Sequence, residues 1–172
     1  MVCYRRNRAA GATYFFTITL HDRNSTALTD QIVCLGSAMR ACRSRHPFSL
    51  TAIVVLPDHM HCVWELPEGD SDYSIRCGLI KATFTRVTRL GRTKTAKGER
   101  GLWQRRFWEH TIRDDLDHQR HVDYIHFNPV RHGYVKNVRD WPYSSFHRYV
   151  RQRLLPSDWS ATVESIGADF GE

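Results

Sequence analysis

The hydrophobic residues of this chain follow two patterns, short runs typical of strands and longer stretches with helical spacing. Runs rich in β-branched and aromatic residues predict strands over 14–20, 50–56 and 59–66, and a fourth strand over 102–112. Pro57 and Asp58 form a turn between the second and third strands. The stretches between and after the strands have the spacing of helices.

Apolar residues at helical spacing predict three helices, over about 30–45, 74–90 and 114–128. Thr29 or Asp30 is the expected cap of the first helix. The third helix begins with acidic residues, which favour the positive end of a helix dipole. Pro129 limits how far that helix continues.

The order βαββαβ, followed by one more helix, is that of the ferredoxin-like or split βαβ fold. We therefore expect an α+β protein with a four-stranded antiparallel sheet, helices on one face, and the other face free for extra elements or a ligand. The length of 172 residues fits one domain over 1–172, with a core of about 12–135. Residues 136–172 are the expected C-terminal capping segment and tail.

Charge and composition narrow the classes of function. Lys and Arg outnumber Asp and Glu by 25 to 18, and the net charge of +7 favours an acidic partner such as nucleic acid. No segment reaches the roughly 18 apolar residues needed to span a bilayer, so we expect a cytoplasmic protein without membrane contact. Five cysteines without a C-x-x-C pair argue against a disulfide framework or a zinc knuckle.

Two histidines separated by one residue open the third predicted strand. Because side chains alternate along a strand, His59 and His61 project from one face about 7 Å apart, with Met60 on the other face. That spacing suits two ligands of one divalent metal. The alternative is that these are two surface histidines on an exposed strand. With ten histidines in 172 residues, one H-x-H pair is close to what chance alone would give. The apolar strand and tight turn before the pair favour the metal site, because they anchor it to the core.

Tyr124 and Asn128 lie four residues apart on the third predicted helix, and therefore on one helical face. An Asn oxygen suits a hard ion such as Mg²⁺ or Mn²⁺, and a mixed His/Asn set leaves positions for phosphate oxygens and water. A phosphate polarised by such an ion can be attacked by the Tyr124 phenol. The alternative for Tyr124 is an ordinary core position on an amphipathic helix. The rival nucleophiles are Tyr134, Tyr143 and Tyr149. None of them has a ligand-type residue four positions later in a predicted helix.

Positive residues cluster between the second helix and the fourth strand. Seven Lys or Arg and one acidic residue lie within 89–106, so this stretch could follow phosphates while Trp103, Phe107 and Trp108 stack on bases. A solvated loop is the alternative for the charges, and a core position is the alternative for half of the aromatics. The candidate nucleic-acid contacts from the residues in and around this region are Lys81, Arg86, Arg105, Arg106 and Arg131.

Most of the chain resembles one family, with the matching stretches in the family's order. These stretches are YRR at 4–6, residues 11–20, VVLPDHMHCVWELPEGD at 54–70, SIRCGLIKATFTR at 74–86, WQRRFWEHTIRDDLDHQRHVDYIHFNPVRHGYV at 103–135 and DWPYSSFHRYV at 140–150. The chain is similar to the REP-associated tyrosine transposases, relatives of the single-tyrosine HUH transposases of small insertion sequences.

The resemblance implies metal-dependent nicking and rejoining of single-stranded DNA beside a hairpin, through a covalent 5′-phosphotyrosine. It implies that Tyr124 is the nucleophile and that the metal ligands are His59, His61 and Asn128. Insertion-sequence relatives usually carry Gln at the third-ligand position, so Asn fits the REP-associated branch. Arg5 and Arg6 match N-terminal arginines that recognise a tetranucleotide, and arginine can donate a forked pair of hydrogen bonds to guanine.

Three functions stay open at this point. The first is a nicking and strand-transferring enzyme, with a monomer favoured over a homodimer. The second is a non-catalytic protein that binds single-stranded DNA hairpins; such a relative would be expected to have lost one of the four implied catalytic residues, and none is missing. The third is an unrelated metal-dependent hydrolase, which the sequence disfavours. It has neither the further Asp and His of metallo-β-lactamase-like enzymes nor the motifs of a zinc deaminase.

Overall fold

The computed structural model of the chain describes residues 7–91 and 101–161. These ranges contain four strands: β1 (Thr13–Thr19), β2 (Ser49–Val55), β3 (His59–Glu65) and β4 (Trp108–Thr111). Their α-helices are α1 (Ala27–Asp30), α2 (Ile32–Arg45), α3 (Tyr73–Thr88), α4 (Asp115–Arg131) and α5 (Phe146–Arg151). A 3₁₀ turn lies at Val138–Asp140.

The strands form one antiparallel sheet in the order β2-β3-β1-β4. With α2 after β1 and α3 after β3, this is the ferredoxin-like arrangement, and the predicted fold class is confirmed. Helices α2 and α3 pack on one face of the sheet, and α4 packs on the other. None of the helices within the described ranges is long and apolar enough to cross a membrane.

The first core lies between the sheet and helices α2 and α3. Every second residue of the central strands points into it, and all six are fully buried: Tyr14, Phe16, Ile18, Met60, Cys62 and Trp64. Leu35 of α2 and Ile80 of α3 pack against them. This alternation is what the period of two along a strand requires when one face is buried.

A buried arginine ties the loop after β3 to this core. The Arg76 side chain on α3 is 2% exposed and donates to the Asp70 carboxylate at 2.6 Å. It also donates to the main-chain carbonyls of His46, Pro47 and Asp72, at 3.3, 2.7 and 3.0 Å. Because each donor meets an oxygen, the guanidinium can remain charged inside the protein.

The second core lies between the sheet and α4. The intervening strand residues face it, including Phe15 and Val63, and α4 contributes Val122 and Ile125. This face also buries polar side chains from the central strands: Thr17, Thr19, His59 and His61. The face that was predicted to be free for extra elements therefore carries α4 above a partly polar layer.

The C-terminal segment runs along the edge of β2, as the prediction of a packed capping segment requires. The main-chain N–H of Val55 donates to Tyr143 at 2.9 Å, and the N–H of Ser145 donates to Ile53 at 2.8 Å. The Trp141 indole donates to the Val55 carbonyl at 3.0 Å. These bonds satisfy main-chain groups on the strand edge, which would otherwise be open to pairing with another chain.

The fourth strand is shorter than predicted, because only 108–111 of the predicted 102–112 pair regularly. Thr17 pairs with Trp108, so a continued register would place Leu20 opposite residue 105. Leu20 instead forms an isolated bridge with Trp103, two residues further back. The chain therefore bulges between Trp103 and Trp108, and the exposed Arg105 lies in the bulge.

Two helix boundaries also differ from the predictions. Thr29 and Asp30 do not cap the first long helix; they lie inside the short helix α1, which begins earlier because Leu28 is buried and its N–H donates to the Pro57 carbonyl. Helix α4 continues through Pro129 to Arg131. A proline removes only one N–H donor from the helix, and here it does so in the last turn.

Candidate functional site

Helix α4 presents one stripe of polar side chains to the sheet. Asp117, His121, Tyr124 and Asn128 follow one another at intervals of four, three and four residues, which places them on the same helical face. All four are buried, with exposures of 7%, 2%, 1% and 0%. The Asp114 carboxylate caps the helix by accepting from the N–H of Asp117 at 2.8 Å. The helix is therefore held at the end where the stripe begins.

The two histidines of β3 lie on the sheet face beneath this helix. His61 is opposite Thr17 and His59 is opposite Thr19 in the register of the central strands. Their rings are 4.9 Å apart between centroids, and both side chains are at most 1% exposed. The expected common face of the H-x-H pair is thus present, and it is buried rather than solvated.

The structure brings Tyr124 against this pair. The Tyr124 and His61 rings are 5.1 Å apart between centroids, edge to face. The Arg131 guanidinium carbon lies 5.3 Å from the centre of the Tyr124 ring. Asn128 lies one helical turn beyond Tyr124 on the same face. We call His59, His61, Tyr124 and Asn128 the β3–α4 cluster.

Neighbouring side chains hold both imidazoles through Nδ1. The His61 Nδ1 is 2.9 Å from the Thr17 hydroxyl, and the His59 Nδ1 is 2.8 Å from Oδ1 of Asp58. Arg23 contacts the other oxygen of Asp58 at 2.6 Å. Burial raises the pKa of the Asp58 carboxyl, but the hydrogen bond and charge of His59 and the charge of Arg23 outweigh burial and lower it.

This arrangement fits the predicted metal ligands. Histidines that bind metals usually donate from the other ring nitrogen to a carboxylate, carbonyl or water, which fixes the ring. Here a carboxylate and a hydroxyl hold Nδ1, so Nε2 is the nitrogen of each ring that could bind a metal. Nε2 of His59, Nε2 of His61 and Oδ1 of Asn128 are buried atoms without a hydrogen bond, while other interactions engage these three side chains. Two nitrogens and one oxygen are suitable donors for a divalent ion.

The residues that hold the histidines are not among the predicted site residues. Asp58 is predicted only as a turn residue, although its place directly before the H-x-H pair is a usable signal for a ring-orienting carboxylate. Thr17 lies 44 positions before His61, and only the β1–β3 register brings them together. His132 follows the last residue of α4, and its ring lies 5.3 Å from that of His59.

A second histidine cluster lies under the first turns of α4. The His110 Nε2 on β4 is 2.8 Å from one oxygen of Asp117, and the His121 Nδ1 is 3.3 Å from the other. None of these three residues is among the predicted site residues. Among the described residues, this β4–α4 cluster (His110, Asp117 and His121) is a group of side chains that could hold a divalent ion.

Three of the predicted nucleic-acid contacts line one groove of about 670 Å³ on the α3 side of the sheet. Lys81, Arg86 and Arg105 form its positive rim, and Trp103 and Phe107 form part of its wall. Both aromatics also pack against the first core, so each has a core side and a groove side. Arg106 is exposed beside the groove, Arg131 lies at the β3–α4 cluster, and Arg5 and Arg6 lie outside the described residues.

The rival tyrosines have other surroundings. Tyr149 donates from its hydroxyl to the Thr51 carbonyl at 3.2 Å. Tyr143 accepts a main-chain bond from β2 as part of the C-terminal segment. Tyr134 is 44% exposed and packs beside His132 and Trp141. The ring of Tyr124, in contrast, lies against that of His61.

Comparison with known proteins gives a consistent result, although no protein-family model matches the chain. A REP-associated tyrosine transposase of Escherichia coli K12 is 48% identical over 165 residues, covering 96% of this chain and 94% of that protein. A Haemophilus influenzae protein assigned to the same family is 48% identical over 166 residues, covering 94% of each. A solved structure of a REP-associated tyrosine transposase bound to a REP hairpin superposes with a TM-score of 0.88 at 47% identity. The match covers 99% of this chain and 96% of that one.

Proposed function

This chain belongs to the REP-associated tyrosine transposases, and on that premise we propose that it nicks and rejoins single-stranded DNA beside a hairpin, with Tyr124 as the nucleophile. The observation that carries the proposal is the 5.1 Å contact between the Tyr124 and His61 rings, next to the H-x-H pair. A nucleophile for phosphoryl transfer must lie next to the group that neutralises phosphate charge.

The proposed reaction is a transesterification. The Tyr124 oxygen attacks the scissile phosphorus, a phosphorus–oxygen bond to the phenol forms, and the bond to the 3′ oxygen breaks. The phenol loses its proton and the leaving 3′ oxygen gains one. The products are a 5′-phosphotyrosine and a free 3′-hydroxyl. Because one phosphodiester replaces another, rejoining needs no external energy source.

We assign the binding of a divalent ion, Mg²⁺ or Mn²⁺, to His59, His61 and Asn128. A bound ion would draw charge from the scissile phosphate and stabilise the negative charge that develops on it. Asp58 and Thr17 orient the two imidazoles. The Arg131 guanidinium beside the Tyr124 ring places a positive charge next to the proposed nucleophile, where it attracts the phosphate.

The groove on the α3 side is the proposed surface for the hairpin and its flanking strand. The segment that carries Trp103 and Arg105 is joined to the β1 end by a 3.0 Å bond from the Gln104 N–H to Thr19, the residue opposite His59. A strand that leaves the groove along this segment would pass around this end of β1 to reach the β3–α4 cluster on the other face of the sheet. Tyr124 is 1% exposed, so a phosphate reaches it only when neighbouring side chains move.

We further propose that one copy of the chain is sufficient for the reaction. Tyr124 contacts His61 of its own chain, and Asn128 belongs to the same helix as Tyr124. The site thus assembles its nucleophile and its ligands without a second subunit. A second copy could bind another hairpin without completing this site.

A denaturing gel with labelled hairpin DNA from repeats beside the protein's own gene tests the proposed function. In Mg²⁺ or Mn²⁺ the wild type should give an SDS-resistant protein–DNA adduct and a free 3′ fragment, and Tyr124→Phe should give neither. Tyr134→Phe is the matched control and should retain the adduct. A wild type that binds the hairpin without adduct or nick in either metal would contradict the proposal and favour a hairpin-binding protein.

A further inference from the structure

The β4–α4 cluster combines three metal-binding side chains from a strand and a helix. One ring nitrogen of His110, one of His121 and one Asp117 oxygen lie within 4.8 Å of one another. Asp117 and His121 are four residues apart on α4, and His110 faces them from β4. A pair of ligands at this helical spacing with a third ligand from a neighbouring strand can surround one ion.

The rings of this cluster are held by packing. His110 and His121 are nearly parallel, with ring centroids 4.7 Å apart and an interplanar angle of 15°. Trp108 stacks on the outer side of His110, and Phe15 packs on His121 at 4.8 Å. The His121 Nδ1 is 2.7 Å from the Asp117 carbonyl, and a hydrogen bond of this kind commonly orients a metal-binding imidazole.

We infer that the β4–α4 cluster is a second metal site, selective for a d-block ion such as Zn²⁺ and separate from the site assigned to the H-x-H pair. Two imidazole nitrogens and a carboxylate oxygen are the donors that Zn²⁺ prefers, and a fourth position can take water. Mg²⁺ prefers oxygen ligands and keeps its own waters, so it competes weakly here.

Phe15 separates the two sites. Its ring lies 4.8 Å from that of His121 and 5.5 Å from that of His61. An apolar ring between the two imidazoles keeps them from sharing one ion. The inference therefore does not rest on the proposed nicking function.

Arg113 pairs with the carboxylate of the β4–α4 cluster. Its Nε lies 3.1 Å from the same Asp117 oxygen that contacts His110, and its side chain is 73% exposed. An exposed guanidinium can swing into solvent when an ion neutralises the carboxylate instead. A bound ion would then join β4 to the first turns of α4, the helix that carries Tyr124.

Metal binding by the His59→Ala/His61→Ala double variant tests the inference, because that protein lacks the H-x-H pair. We expect it to bind one equivalent of Zn²⁺ in competition with a chromogenic chelator and to give visible d–d absorption with Co²⁺. Zn²⁺ at a hundredfold excess over its Kd should raise Tm by about 5–10 °C. Adding His110→Asn should abolish all three signals, whereas His118→Asn on the same helix should leave them.

Arg113→Ala, added to the double variant, is a second test, and the added substitution changes only an exposed side chain. Removing the competing guanidinium should tighten Zn²⁺ binding roughly threefold or more. The inference is overturned if the double variant binds no Zn²⁺ or if binding is unaffected by His110→Asn. Unchanged affinity in Arg113→Ala would also overturn it.

Discussion

The two faces of the sheet bury polar groups in opposite ways. On the face covered by α2 and α3, the Arg76 guanidinium donates to the Asp70 carboxylate and to main-chain carbonyls. On the face covered by α4, His59 and His61 are held through Nδ1, which directs Nε2 away from Asp58 and Thr17. In the first network, protein oxygens surround the positive charge of Arg76. In the second network, protein oxygens fix the orientation of two imidazole rings.

The difference between the two faces shows how β3 can contribute side chains both to the first core and to the candidate site. Along β3, Met60, Cys62 and Trp64 enter the first core, while His59 and His61 face α4. Strand geometry sends adjacent residues to opposite faces, and we therefore propose separate roles for them. The polar groups of the α2–α3 face should matter for stability, and those of the α4 face should matter for activity.

Substituting two adjacent residues of β3 tests most sharply whether the two faces of the sheet have different roles. His61→Ala removes a proposed metal ligand, and since metal-ion catalysis is worth several kcal/mol, nicking should fall at least about 10³-fold. Met60→Ala removes core volume and should cost about 2–5 kcal/mol of unfolding free energy. Hairpin nicking per folded molecule, together with urea denaturation, measures both effects.

Met60→Ala should keep nicking near the wild-type rate at temperatures where it is folded. The comparison fails if His61→Ala nicks normally, or if Met60→Ala loses activity while it remains folded.

Asp70→Asn is expected to have the next largest effect, on the α2–α3 face. It leaves the buried Arg76 without its carboxylate and should cost about 3 kcal/mol, the lower end for a broken buried pair because Asp70 is one-third exposed. Urea denaturation measures this cost, with the exposed Asp140→Asn as control. Nicking per folded molecule should not change.

The same variant has a defined pH dependence. The hydrogen bond from Arg76 lowers the pKa of the Asp70 carboxyl. Its stabilising effect is therefore complete above the unfolded pKa of about 3.9 and is lost as pH falls through the lowered pKa. The stability difference between wild type and Asp70→Asn should be constant near pH 7 and shrink below about pH 4. A difference that grows on acidification would contradict this assignment.

Asp58→Asn tests the orienting carboxylate on the α4 face. Loss of a residue that orients a ligand typically weakens metal affinity about 10–100-fold. The Mn²⁺ concentration for half-maximal nicking should rise by that factor, while the rate at saturating Mn²⁺ stays near the wild-type value. Asp22→Asn, on the nearby exposed loop, is the control. An unchanged Mn²⁺ dependence would show that Asp58 does not act on His59.

Arg105→Ala should give the smallest effect, because it removes one exposed charge from the groove. Hairpin affinity should fall several-fold, and the slope of log K against log salt concentration should decrease by about 1. Fluorescence anisotropy at several salt concentrations measures both quantities. Arg40→Ala, on α2 away from the groove, is the control, and an equal loss in that variant would exclude a specific groove contact.

The sequence predicted the fold well because its strands have clear hydrophobic patterns. The alternation along β3 and the helical spacing of Tyr124 and Asn128 are local properties, so they can be derived without a structure. The bulge before β4 could not be predicted, since it depends on where Leu20 meets Trp103. The break between α1 and α2 likewise depends on the contact of Leu28 with the Pro57 turn.

The candidate site was also predictable only where its signal is local in the sequence. The H-x-H spacing and the family resemblance indicate the proposed ligands, whereas Thr17 comes close to His61 only through strand pairing. His110, Asp117 and His121 have a helical spacing for two members, but nothing local indicates that β4 lies beside them. Thr17 was missed because its partner lies far away in sequence, and the β4–α4 cluster was missed because it depends on how β4 packs against the helix that follows it.

Peptide mapping of the covalent adduct tests the central claim most directly. Trypsin cleaves after Arg120 and Arg131, and residues 121–131 contain Tyr124 as their single tyrosine. After reaction with a hairpin substrate and nuclease digestion, mass spectrometry should find a nucleotide phosphate on this peptide, with Tyr124 as the modified residue. A nucleotide on a peptide that carries Tyr134, Tyr143 or Tyr149 would contradict the account.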